Sequence, residues 1–151
     1  MKIILDTNVL VSGLLTPFGS SGEIVRMVTA DGLTLYVDAR ILSEYEEVLR
    51  RPKFEFSRER IDVVIDYVKQ RGVFVSSIPL KNHLPDLDDE PFLEVAVAGS
   101  VESLITGNKT HYPTEIMEGV RVLSPSEFLG YYRHPDKDFG LRYRSRHLND
   151  V

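Results

Sequence analysis

Apolar positions along this chain alternate between short unbroken runs and helical stripes. Ile3-Ile4-Leu5 is an unbroken run, the pattern of a strand buried on both faces. Polar Asp6-Thr7-Asn8 follows at once, and the apolar residues from Val9 to Leu14 predict a short helix. The Pro, Gly and Ser content of residues 16–22 predicts a loop. Ser20 or Ser21 is placed to cap a helix striped by Ile24, Val25 and Val28, which Asp31-Gly32 ends. Leu33 to Val37 reads as a second strand. Asp38 to Arg51 is the clearest helix, with Ile41, Leu42, Tyr45, Val48 and Leu49 on one face and Pro52 as its stop. Ile61, Val64, Ile65 and Val68 stripe another helix that Gly72 ends, and Val73 to Val75 reads as a third strand.

A long connection over residues 76–90 leads to a largely apolar helix that opens on Pro91, a favourable first helical residue. Ser103 to Thr106 and Val120 to Val122 read as two further strands. Ser124-Pro125-Ser126-Glu127 is a capping-box start for a last helix docked by Phe128 and Leu129. From His134 onward the apolar periodicity is lost. Strands alternating with helices predict an α/β domain with a mainly parallel sheet of four to five strands. Right-handed crossovers bring several strand ends to one edge.

That edge is where ligands sit in open α/β sheets, and the residues arriving there are polar. Asp6 ends the first strand. Its bland role is to cap the following helix through its side-chain oxygen. On the helical wheel Glu44 and Glu46 flank the apolar stripe on opposite sides, so either reaches a cleft beside the core, while Glu47 faces solvent. Asp86, Asp88, Asp89 and Glu90 crowd the start of the buried helix, where one Asp would suffice as cap. Thr106 with Gly107-Asn108 ends the fourth strand. Several carboxylates gathered at one edge describe a hard-cation site of the kind that takes Mg²⁺ or Mn²⁺. Such ions activate water for phosphodiester displacement.

Composition narrows the field. The chain has no Cys, which excludes thiolate metal sites and Cys nucleophiles and fits a reducing cytoplasm. No apolar run approaches the roughly 20 residues of a membrane helix, and the amino terminus does not read as a signal peptide. The formal charge of -5 argues against a duplex-wrapping DNA binder but not against a nuclease, because a bound divalent ion inverts the local sign. Arg50, Arg51, Lys53, Arg58 and Arg60 form a basic cluster interleaved with Phe54 and Phe56, either a nucleic-acid contact or a solvated helix end over core rings. Arg142, Arg144, Arg146 and His147 make the carboxyl-terminal tail basic.

Four stretches together resemble the PIN-domain ribonucleases, in particular the branch that forms the toxin half of toxin–antitoxin pairs. They are Ile3-Ile-Leu-Asp-Thr-Asn-Val-Leu-Val-Ser-Gly13, Ser43-Glu-Tyr-Glu-Glu-Val-Leu-Arg-Arg-Pro-Lys-Phe54, Asp86-Leu-Asp-Asp-Glu-Pro-Phe-Leu93 and Leu104-Ile-Thr-Gly-Asn108. The resemblance implies a three-layer α/β/α PIN-like domain over residues 1–132, followed by a basic tail over 133–151. It implies a metal-dependent endoribonuclease in which Asp6, Glu44 and Asp89 are the metal-binding and catalytic carboxylates, so it selects Glu44 over Glu46. Thr7, Asn8, Ser12, Asp86, Asp88 and Thr106 would support them. Asn108 stands where the family often has a fourth acid, so it can coordinate through its carbonyl but adds no charge. The resemblance further implies an RNA substrate, a small antitoxin inserting a basic side chain into the acidic pocket, and a homodimer. Lys109 and His111 are near enough in sequence to contact phosphate or to be an exposed loop. A haloacid-dehalogenase-type phosphatase also opens on a strand and an Asp, but needs a second Asp where this chain has Asn8. A PIN-like module that binds RNA or protein without cutting is the alternative that Asn108 keeps open.

Overall fold

Ile3, Ile4 and Leu5 build β1 (Lys2–Leu5) and are at most 1% exposed. The protein's computed structural model describes residues 1–113 and 118–135. Both edges of β1 are paired in parallel, to β2 (Thr34–Val37) on one side and to β4 (Ser103–Ile105) on the other. β3 (Val73–Phe74) extends the sheet beyond β2, and β5 (Arg121–Leu123) extends it beyond β4. The order is β3-β2-β1-β4-β5, and every pairing is parallel. An unbroken apolar run suits the centre of such a sheet, since both faces of a central parallel strand are covered.

Six helices occur among the described residues: α1 (Thr7–Leu15), α2 (Ser20–Thr29), α3 (Ala39–Leu49), α4 (Arg58–Arg71), α5 (Glu90–Ala98) and α6 (Pro125–Arg133). The chain steps from β1 to β2 to β3 in one direction, then crosses back through α5 to β4 on the far side of β1. With right-handed crossovers this reversal puts α5 on the opposite face from the earlier helices, giving three layers. α5 packs on β1, β2 and β4, whereas α4 packs on β2 and α6 lies against α2, β4 and β5. The reversal makes the ends of β1 and β4 the topological switch point, where an open α/β sheet leaves a crevice.

Helix ends follow local chemistry. Asp38 caps α3 by accepting Ile41 N–H at 2.9 Å, and Ser124 and Glu127 form a reciprocal capping box on α6. α1 begins at Thr7 rather than Val9, because extended Asp6 takes the cap position and its carbonyl accepts Val9 N–H at 3.0 Å. Gly19, not Ser20 or Ser21, is the residue before α2, and both serines lie inside the helix. Asp31, with φ 62°, makes the left-handed turn after α2 that the sequence assigns to Asp31-Gly32 together. Gly22 allows α2 to touch the loop before it, since a Cβ there would lie 2.1 Å from Pro17 O. The basic residues 142–147 of the tail lie outside the described residues.

One buried bond sets α3 against β1. Tyr45 is wholly buried and its hydroxyl donates to Leu5 O at 2.5 Å, one residue before Asp6. Glu44, its neighbour on α3, is thereby fixed relative to the end of β1. We expect Tyr45→Phe to lower unfolding stability by about 1 kcal/mol, seen as a lower urea midpoint at constant slope. An unchanged midpoint would show that the hydroxyl contributes nothing to this docking.

Candidate active site

Asp6 is 5% exposed and leaves β1 directly over the switch point. Its backbone N–H donates to Ile105 O at 2.9 Å, which ties the ends of β1 and β4 together. Its side chain makes no cap bond to α1. Instead Oδ2 accepts the Thr106 hydroxyl at 2.8 Å and the Tyr112 hydroxyl at 3.2 Å. Burial raises the Asp6 pKa from the ordinary carboxylate value, against the lowering influence of these two hydrogen bonds.

Glu44 reaches the same place from α3. Thr7, the first residue of α1, donates its hydroxyl to Glu44 Oε2. The Glu44 pKa is raised, first by burial and then by the negative charges of Asp6 and Asp88. Glu46 instead pairs with Arg50 at 2.8 Å, and Glu47 with Arg51 at 3.3 Å. The two glutamates that the wheel treats alike therefore have different surroundings.

Asp89 arrives from a 3₁₀ turn over Leu87–Asp89 that leads into α5 and is 9% exposed. Its pKa is pushed up to about 6 by burial, then by Asp6, with His111 acting in the opposite direction. His111 Nδ1 is 2.9 Å from Asp89 Oδ2. Oδ2 is nonetheless without a hydrogen bond of acceptable geometry, so the imidazole is near but not aligned. Tyr112, 3% exposed, lies in the field of Asp6, Asp89 and Glu44 together, which adds to burial in raising its own pKa. One phenol thus bonds Asp6 and feels the charge of the other two carboxylates.

The remaining sequence candidates divide. Asn8 Oδ1 accepts Gly107 N–H at 2.9 Å, pinning the turn after β4. Asp86 Oδ1 accepts Asp88 N–H at 2.9 Å and so starts the 3₁₀ turn that positions Asp89. Asp88 is exposed and acts on Glu44 through its charge. Ser12 is exposed on α1, about 9 Å along the helix from the level of Asp6. Both ends of the Asn108 amide are engaged: Nδ2 donates to His111 Nε2 at 2.9 Å and Oδ1 accepts the Thr110 hydroxyl at 2.6 Å. Glu90 does not face the carboxylates but accepts Leu84 N–H at 2.8 Å, holding the long connection to α5. Lys109 pairs with Glu127 at 2.9 Å. In the basic cluster, Arg50 pairs with Glu46 and Asp62, Arg51 with Glu47, and Arg60 with Leu14 O, while Phe54 and Phe56 stack on each other at the core edge. These contacts favour the solvated helix end among the two readings of that cluster.

Tyr112 is missing from the sequence candidates, and His111 enters them only as a phosphate contact. No periodicity marks either. His111 ends, and Tyr112 follows, a 3₁₀ turn over Lys109–His111 that comes after β4.

The donor set suits a divalent cation. Oxygen donors dominate, ionised forms are disfavoured by burial, and one buried carboxylate oxygen lacks a bonded partner. Asp86, Asp89 and His111 each offer one atom within 4.8 Å of the others.

The pKa of Asp89 gives a sign that can be checked. Its folded value of about 6 lies above the unfolded value, so between about pH 4 and pH 6 the folded chain binds the extra proton. Stability without divalent ions should therefore fall as pH rises through that window. Asp89→Asn should reduce this slope and raise stability at pH 7.5 by on the order of 1 kcal/mol. Chemical denaturation in EDTA across this range reads both; an unchanged slope would mean that Asp89 ionises like a surface carboxylate.

With this geometry in view, likeness to known proteins is informative. The family model for the PIN domain matches residues 2–110. The uncharacterized protein MJ1680 of Methanocaldococcus jannaschii is 29% identical over 112 residues, 72% of either chain. In structure the chain is similar to VapBC2 from Rickettsia felis bound to a DNA fragment from their promoter, with a TM-score of 0.55 at 16% identity over 82% of this chain and 98% of that one. It is also similar to FitAcB from Neisseria gonorrhoeae, with a TM-score of 0.51 at 16% identity and the same coverage. Both structural likenesses establish the shared α/β fold. The match over most of the sheet and its helices shows that the chain belongs to the PIN domain family.

Proposed function

We propose that this PIN domain is a metal-dependent endoribonuclease and the toxin half of a toxin–antitoxin pair. The observation that carries the reading is that Asp6, Glu44 and Asp89 lie within one another's electrostatic field and that of Tyr112, each held less readily ionised than usual at the switch point of a parallel sheet. Asp6, Glu44 and Asp89 would hold Mg²⁺ or Mn²⁺. Such an ion, when bound, supplies a lowered water pKa and neutralises developing phosphate charge.

The chain's own groups prepare that chemistry. Thr106 and Tyr112 hold the Asp6 carboxylate in one orientation, and Thr7 does the same for Glu44. A member of this set not engaged by the ion can take a proton from water, because its raised pKa brings it nearer neutrality. Asn8 fixes the turn that carries Thr106 and Asn108. RNA is preferred as substrate on the resemblance of the four motif stretches. The toxin role rests on the same resemblance and on the fold shared with VapBC2 and FitAcB. A partner antitoxin would neutralise the pocket with a basic side chain, in the cytoplasm where both would be made. Residues 1–132 would form the nuclease domain and 133–151 an appendage to it.

The test is cleavage of single-stranded RNA with Mn²⁺ or Mg²⁺. We expect Asp6→Asn, Glu44→Gln and Asp89→Asn each to lower the rate at least ~100-fold, while Asp66→Asn, on the exposed side of α4, leaves it unchanged. Equal rates in all would place cleavage elsewhere. RNA binding without cleavage by the wild type would favour the non-cutting module, the reading that Asn108 supports.

A further inference from the structure

Among the described residues, Asp86, Asp89 and His111 form a group in which each side chain offers one ligand atom within 4.8 Å of the others. We propose that His111 is a direct metal ligand, completing with Asp86 and Asp89 a mixed nitrogen–oxygen site that prefers a divalent transition ion to Mg²⁺, and that Asn108 positions the imidazole rather than binding the ion. This deepens the nuclease reading and rests on it only for placing the ion beside substrate.

The first support is the contact between His111 and Asp89. Nδ1 and Oδ2 are 2.9 Å apart, yet Oδ2 has no partner of hydrogen-bond geometry. That separation is the one two adjacent ligands of a single ion would have. Ligands at ~2.1 Å in an octahedron are about 3.0 Å apart when adjacent and about 4.2 Å when opposite. The three donors lie within 4.8 Å of one another, a separation of the same order as that limit. Asp86 is exposed, so ion and water have a way in, and its Oδ1 is held by Asp88 N–H. Asp89 is nine-tenths buried and supplies the charge that most needs a counter-ion.

The second support is the other side of the ring. A metal-bound imidazole must present a bare nitrogen to the ion and donate its other N–H to an acceptor. His111 Nε2 faces the Asn108 amide at 2.9 Å, and the other end of that amide meets the Thr110 hydroxyl at 2.6 Å. As the bonds stand, Asn108 Nδ2 donates to Nε2, so the ring proton is on Nδ1. Turning the amide over exchanges its ends without losing either contact. Its carbonyl then accepts Nε2–H, its NH₂ group donates to the Thr110 hydroxyl, and Nδ1 is bare toward Asp89. The ring can therefore change tautomer inside its present cage. An Asn suits this task because it offers both a donor and an acceptor end.

Imidazole nitrogen suits Co²⁺, Ni²⁺ and Zn²⁺, whereas Mg²⁺ holds to oxygen and water. The experiment uses the full chain with Co²⁺, Mn²⁺ and Mg²⁺, without RNA. Calorimetric titration should show Co²⁺ binding at least ~10-fold tighter than Mg²⁺. His111→Ala should weaken Co²⁺ binding by ~10–100-fold and bring the two ions closer in affinity. Electron paramagnetic resonance of bound Mn²⁺ should show nitrogen modulation that disappears in His111→Ala and in His111→Asp. Asn108→Ala should weaken the Co²⁺ preference, and Asn108→Asp, which keeps an acceptor for the ring N–H, should retain it. His111→Asp preserves a ligand of the same reach, so it separates loss of nitrogen from loss of fold. No nitrogen modulation in the wild type, or a Co²⁺ to Mg²⁺ ratio unmoved by His111→Ala, would overturn the assignment. The nuclease reading stands or falls separately, on RNA cleavage by the Asp6, Glu44 and Asp89 variants.

Discussion

Bringing Asp6, Glu44 and Asp89 within reach of one another's charge is unfavourable twice over. Each carboxylate loses hydration, and each feels the charge of another. The fold does not remove this repulsion by distance. It holds the groups in place from three separate directions: β1 carries Asp6, α3 carries Glu44, and the turn before α5 carries Asp89. Each carrier is anchored by apolar packing independent of the charges. Ile3 to Leu5 lie at the sheet centre, Tyr45 and Leu49 are buried beneath α3, and Phe92 and Leu93 beneath α5. Repulsion among the carboxylates is therefore opposed by three hydrophobic contacts that do not depend on pH.

The topology explains why these carriers meet. A sheet in which β1 is central and the chain reverses after β3 must leave the ends of β1 and β4 side by side. The bond from Asp6 N–H to Ile105 O fixes that neighbourhood, and Thr106 then stands beside Asp6 by register alone. Asn8 adds a link from α1 to the turn after β4. The short polar runs Asp6-Thr7-Asn8 and Thr106-Gly107-Asn108 thus bind each other as well as flanking the pocket.

Most of the fold is legible in the sequence because period and punctuation agree there. The apolar run of β1, the stripe of α3 with Pro52 after it, and the capping box of α6 each state their element locally. Boundaries go astray where a backbone group competes, as at Thr7, where the extended cap residue lets α1 begin two residues earlier than its apolar pattern. The acids are also legible as acids out of place. What they touch is not, because partners come from across the chain: Thr106 is 100 residues from Asp6, and Tyr112 is 106 away. Tyr112 and His111 occupy a turn with no repeat of their own, so only the folded chain brings them under the carboxylates.

The other buried acids show what is particular about this pocket. Glu94 is paired with Arg40 at 2.7 Å, and half-buried Glu127 with Lys109 at 2.9 Å. Glu90 receives a backbone N–H and the His83 ring. In those places the fold supplies a cation or an N–H for each carboxylate, which is the ordinary way to make burial tolerable. Asp6 and Glu44 receive hydroxyls, from Thr106, Tyr112 and Thr7, and Asp89 receives an unaligned imidazole. Hydroxyl donors orient a carboxylate and lower its pKa without cancelling its charge. A chain that can place Arg40 against Glu94 has the means to place a cation here too, and it places neutral donors instead. The negative charge is kept, oriented and only partly screened, which is the condition under which a mobile cation from solution has the most to gain by entering.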